Sequence, residues 1–161
     1  MILPHDLAIV GPALLAGLVG FIVGWERETH GHPAGTRTFA LVALSAAALT
    51  ALGFTNLAGL GADRVIAGIM QGIGFIGAGL ILRAQTGGVK GLTTAASIWT
   101  VTSIGIVIGA GHYVAGIVLT VVILMLLWWP YVPALARLQP RVTRERHQAK
   151  AAKSTPPMPP A

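Results

Sequence analysis

At 161 residues the chain suits one domain, yet 54% of it is hydrophobic, only 10% is charged and the mean hydropathy is +0.75, which excludes an ordinary water-soluble fold and points to a membrane protein. The formal net charge of +6 and the pI of about 10.9 come from the connections and a basic tail, for which anionic lipid is a sufficient partner and nucleic acid is not required. With no cysteine, disulfides and thiolate metal sites are excluded.

The charged residues leave four uncharged runs: Leu7 to Trp25, Thr38 to Ala62, Val65 to Leu82 and Gly91 to Ala136. A bilayer core of about 30 Å needs about 20 helical residues, so each of the first three holds one span. The fourth is long enough for two, with its break at Gly109-Ala110-Gly111-His112. The expectation is an all-α, polytopic transmembrane bundle over residues 1–136, with spans near 7–25, 38–55, 65–82, 92–109 and 113–129. A basic, proline-rich, disordered tail over 137–161 follows. Barrel strands of alternating polarity are absent from these continuous apolar runs.

The first span carries Gly20-x-x-x-Gly24 and reads as a retained anchor, because it has no basic leader and runs into Trp-Glu-Arg-Glu instead of a cleavage site. Glu26 to Arg37 then forms a short connection, with Thr36 as cap of the next helix and Pro33 and Gly35 shaping the turn. Glu26, Arg27, Glu28 and Arg37 can pair among themselves or with Arg83 and Lys90 of the later connection. Two readings stand side by side: interfacial ion pairs that set orientation, and a docking or sensing surface. His30 and His32 form an H-x-H pair without a closed ligand set, so no metal site and no cofactor is assigned.

The third span begins with Asp63, read as its cap, and Arg64, and it carries Gly68-x-x-x-Gly72 beside Gln71, the strongest polar group inside a span. The glycine pairs of spans one and three are expected at helix contacts, either within the protomer or in a homo-oligomer. Gln71 is read as an amide bonded to a neighbouring helix or as part of a small polar site. In span four Thr93, Ser97, Thr100 and Ser103 drift along one side, and they are expected to hydrogen-bond across to neighbouring helices or to line a polar conduit.

Ten of the eleven Lys and Arg residues fall in the 26–37 connection, the 83–91 connection and the tail, while Arg64 stands alone on the other side. Basic residues in short loops stay inside, so the N-terminus is expected outside and the C-terminus in the cytoplasm. Trp25, Trp128, Trp129 and Tyr131 fall at the inner ends of spans, where interfacial aromatics belong.

Three stretches, GWERETHGHPAGTRTFALVAL, DRVIAGIMQGIGFIGAGLILR and VKGLTTAASIWTVTSIGIVIGAGHY, occur in the order and spacing that mark the MgtC/SapB family of bacterial inner-membrane proteins, and the chain resembles that family from about Gly11 to Leu135. The resemblance implies a multi-pass inner-membrane protein tied to growth under magnesium limitation and, in pathogens, to survival inside macrophages. It further implies regulatory action on other membrane machines, the F-type ATP synthase among them. The family's acidic and basic motif residues carry over to Glu26, Arg27, Glu28, Arg37, Asp63, Arg64 and Arg83. The founding members carry a soluble, ACT-like C-terminal domain, whereas this chain has about 25 residues beyond the bundle expected over 1–136, so that domain's role cannot be assigned to it.

The residues themselves favour a regulatory or interaction protein. The five acids lie at span ends or outside, where a magnesium carrier would place oxygen ligands near the midplane. The alternative is an oligomeric transporter or channel lined by Gln71 and the span-four hydroxyls. An enzyme is not expected, because Ser45, Ser97 and Ser103 sit in no nucleophile pattern.

Overall fold

The computed structural model describes residues 4–56, 61–83 and 89–129. It is an all-α membrane helix bundle of five helices: α1 Pro4–Thr29, α2 Thr36–Asn56, α3 Ala62–Leu80, α4 Leu92–Gly109 and α5 Tyr113–Trp128. Asp6–Thr29, Thr36–Thr55 and Leu92–Gly109 are long and apolar enough to cross a bilayer. α3 carries Asp63, Arg64 and Gln71, and α5 is shorter at 16 residues. The tail expected over 137–161, together with Tyr131, lies outside the described residues.

Helices α1 to α3 begin two or three residues earlier than expected, and two of their C-terminal ends differ for local reasons. α1 runs to Thr29, past its expected end at Trp25, because Glu and Arg are good helix formers and nothing breaks the chain before Gly31. Span three ends at Leu80, and Leu82–Arg83 (β1) pairs antiparallel with Val89–Lys90 (β2), Leu82 opposite Lys90.

α1 and α4 end in the same way. Gly31, at φ 70°, follows α1 with Gly31 N–H donating to the Glu28 carbonyl at 3.1 Å and His32 N–H to the Arg27 carbonyl at 3.0 Å. Gly111, at φ 88°, follows α4 with its N–H on the Ile108 carbonyl at 2.9 Å and His112 N–H on the Val107 carbonyl at 3.0 Å. Both are Schellman caps, in which a left-handed glycine lets two terminal carbonyls find donors.

α1, α2 and α4 pack against one another, with α2 in contact with both of the others, while α3 leans mainly on α4. The contacts with α2 are made at glycines. A Cβ on Gly20 would strike the Phe39 carbonyl oxygen, and one on Gly24 would lie 2.6 Å from Thr36 Cα. From α4, a Cβ on Gly105 would come within 2.6 Å of the Ala43 carbonyl oxygen and one on Gly109 would strike that of Ala47. In lipid, where apolar surface alone gives helices little reason to associate, such backbone approach supplies the packing. Ala43, Ala46, Ala47 and Ala51 of α2 are all buried in the resulting core beside Phe39 and Ile98.

Gly68 and Gly72 depart from the expected packing role. Both are exposed, and an added Cβ at either meets nothing within 4 Å. α3 instead turns Gly77 toward α4, where an added Cβ would lie 3.5 Å from the Trp99 indole.

Candidate functional site

The charged residues gather where α1 ends and α2 begins, but they do not form the exposed loop expected of them. Glu26 and Arg27 lie on the helix and are buried, at 4% and 2% exposure. The reason is periodic: Ala16, Gly20, Val23 and Arg27 recur at spacings of four, three and four, so the core-facing row continues into Arg27. Trp25, between the two faces, is turned outward.

Glu26 is held from two sides. Arg27 NH1 lies 3.7 Å from its Oε2, and His30 Nδ1 lies 3.2 Å from its Oε1. The same Nδ1 is 2.8 Å from the Glu26 carbonyl oxygen, which can only accept, so this nitrogen carries the proton. Neither carboxylate oxygen of Glu26 has a hydrogen bond of ordinary geometry, although both are buried. The pair is therefore a desolvated ionic contact, which is costly to break on one side.

Glu28 turns the other way and is exposed. Its Oε2 accepts the Thr36 backbone N–H at 2.9 Å and the Thr36 hydroxyl as well. Thr36, expected to cap α2, is instead its first residue, and the capping oxygen comes from the neighbouring helix. A carboxylate at that position meets both an otherwise unbonded amide and the positive end of the helix dipole.

Between these residues lies an open polar cleft of about 380 Å³, lined by Glu28, His32, Pro33, Gly35, Thr36, Arg37 and Thr38. Partial burial holds the His32 imidazole below its usual pKa, and the Arg27 charge adds to the effect. Arg37 is exposed on the cleft's rim, and the ion pairs found among the described residues, Arg27–Glu26 and His30–Glu26, do not include it. Lys90 is exposed in β2 and is likewise in neither pair, and Arg83 stands in β1 by its backbone. Among the described residues no group of three or more His, Asp or Glu stands together as a metal site.

The remaining sequence candidates lie elsewhere. Asp63 and Arg64 sit exposed in the first turn of α3, whose N-cap is Gly61 with no side-chain cap, so Asp63 is not the cap. Gln71 is exposed on α3 instead of bonded into the bundle. The α4 hydroxyls bond within their own helix: Ser97 donates to the Thr93 carbonyl at 2.7 Å, Thr100 to Ala96 at 3.0 Å and Ser103 to Trp99 at 3.0 Å. The carbonyl one turn back is the nearest acceptor in an apolar surrounding, and it removes these groups from service as interhelical bonds.

Sequence reasoning missed Gly105 and Gly109, whose spacing repeats that of Gly20 and Gly24. It also missed the burial of Glu26 and Arg27, which the Ala16–Gly20–Val23 period signals.

A family model described as MgtC family matches residues 13–131. Protein SrpB of Synechococcus elongatus is 42% identical over 118 residues, which cover 65% of this chain and 65% of that protein. A protein of Escherichia coli K12 named putative magnesium transporter YhiD is 38% identical over 122 residues, covering 71% of this chain and 56% of its own length. Protein MgtC of Salmonella typhimurium is 40% identical over 111 residues, covering 69% of this chain and 47% of its own length. The matched part of the chain thus spans about half to two thirds of these relatives. No solved structure matches the chain.

Proposed function

The chain belongs to the MgtC family, and on that premise we propose that it is a regulatory protein of the bacterial inner membrane. It serves adaptation to magnesium limitation by contact with other membrane proteins, and in a pathogen it serves survival inside the host. The observation that carries this reading is the division of polarity in the bundle. The membrane interior of α1, α2 and α4 is closed at glycine contacts, whereas the polar side chains collect in an open cleft at the α1–α2 end. A closed interior with a polar rim suits a surface that other proteins recognise better than a path for a hydrated cation, which needs oxygen ligands along its way. The name of the YhiD relative supports the link to magnesium. With the positive-inside rule, the cleft faces the cytoplasm.

Growth of a deletion strain at limiting magnesium tests the reading. His32→Ala combined with Thr38→Arg alters the cleft without touching the Glu28–Thr36 bonds. It should abolish complementation at unchanged membrane abundance, and should remove the partner proteins that crosslink to the wild-type chain in native membranes. Full growth at normal abundance would take the cleft out of the function.

A second reading, an oligomeric transporter, draws on the exposed Gln71 beside Gly68 and Gly72 on α3. Ion flux in liposomes containing only this protein would favour it, and a tight vesicle would rule it out.

A further inference from the structure

Gly20/Gly24 and Gly105/Gly109 are both filled by α2, but the third pair of the same spacing, Gly68/Gly72, is open. It forms one wall of an apolar groove of about 270 Å³ between α2 and α3, with Leu41, Ser45 and Leu49 on the α2 side and Gly68, Gly72 and Ile76 on the α3 side. We propose that this groove holds an acyl chain of an anionic phospholipid whose phosphate rests against Arg37.

The placement of Arg37 carries the proposal. Arg37, Leu41, Ser45 and Leu49 recur every four residues on α2 and therefore stand in one row, all of them exposed. At 1.5 Å per residue the groove wall from Leu41 to Leu49 is about 12 Å long, and Arg37 lies about 6 Å beyond it. The total of about 18 Å matches one leaflet, whose hydrocarbon is about 15 Å deep with the headgroups just outside. Apolar trough and cation thus have the spacing of a lipid tail and its phosphate. A guanidinium suits that phosphate, because its fork of donors meets two phosphate oxygens at once. Glu28, the carboxylate on the same rim, is hydrogen-bonded by Thr36 and interacts with Arg37 through its charge alone, which leaves the guanidinium donors for a phosphate.

The rims argue against a helix as occupant. Leu41 is 64% exposed and Leu49 47%, so branched side chains of α2 stand up opposite the glycine wall, and Ile76, 42% exposed, stands up at one end of that wall. A helix about 10 Å across would collide with them before reaching Gly68 and Gly72, whereas a single acyl chain passes between.

Native mass spectrometry of the full chain, released from nanodiscs of equal phosphatidylglycerol and phosphatidylethanolamine, tests the assignment. The wild type should retain phosphatidylglycerol over phosphatidylethanolamine by about five-fold, the effect of one cation near the membrane surface. Arg37→Gln should abolish the preference and Arg37→Lys should keep most of it. Gly72→Leu, which fills the groove, should release retained lipid of both kinds. Gly79→Leu, on an equally open stretch of α3 outside the groove, should not. An unchanged preference in Arg37→Gln, retained lipid in Gly72→Leu, or lipid-free dimers as the stable species would each overturn the proposal.

Discussion

Glu28 caps the helix that follows its own: its Oε2 accepts the Thr36 N–H at 2.9 Å, eight residues on, and so ties the end of α1 to the start of α2. Glu28→Gln keeps an acceptor but loses the charge, and Glu28→Leu loses both. Melting temperatures in detergent should fall in the order wild type, Gln, Leu, and the Thr36 amide should exchange with deuterium faster in the same order. Equal exchange in all three would mean that the capping bond is dispensable.

The Glu26–Arg27 contact behaves differently because both partners are buried. Glu26→Ala removes one partner of the buried Arg27 and should cost up to about 3–5 kcal/mol, enough to lower membrane abundance. Replacing both residues with Leu removes the buried cation as well, and stability should recover most of the loss. Thermal unfolding of the single and double variants measures this directly. A double variant no better than Glu26→Ala would point to a role for Arg27 apart from the pair.

The glycines separate into two classes that one substitution distinguishes. Gly109→Leu drives a side chain into the Ala47 backbone and should lose folded protein, with overpacking costs of about 1–3 kcal/mol as a lower bound. Gly72→Leu meets open space and should leave yield and melting unchanged. Fluorescence-detected size exclusion of both variants reports the difference.

A reporter fused after Lys153 should read cytoplasmic and one inserted at Gly111 periplasmic, as the asymmetry of basic residues requires. Two reporters on the same side would refute the expected topology.

Much of the fold was legible because charges are sparse: Asp63, Arg64 and Lys90 bracket helices whose ends fall within a few residues of them. Charge misled at Glu26, where an ionic side chain was equated with an exposed loop although the three-to-four spacing of small residues continues through Arg27. The glycine pairs could be found but not assigned, since Gly68 and Gly20 look alike in sequence. Which of them meets a helix depends on how α3 is set against its neighbours. The hydroxyls of α4 depart from expectation for a local reason, because the carbonyl one turn back lies within hydrogen-bonding reach at Ser97, Thr100 and Ser103. The cleft's residues were named in advance, but its shape depends on the Glu28–Thr36 bonds, which span a turn that residue types alone do not specify.

The glycines on both flanks of α2 restrict how the molecule can move. With backbone against backbone at Gly20, Gly24, Gly105 and Gly109, α2 can neither rotate about its axis nor slide by part of a turn without driving Cβ atoms into carbonyls on two sides at once. α1, α2 and α4 therefore shift as one body. α3 meets this frame at Gly77 beside Trp99 and at Gly53 beside Val65, and it has open space at Gly68, Gly72 and Gly79, so it is held less tightly than those three. Among these four helices, a change of shape within the bundle falls to α3. Spin-label distances from α3 to α2 should then broaden under conditions in which α1–α2 distances stay narrow.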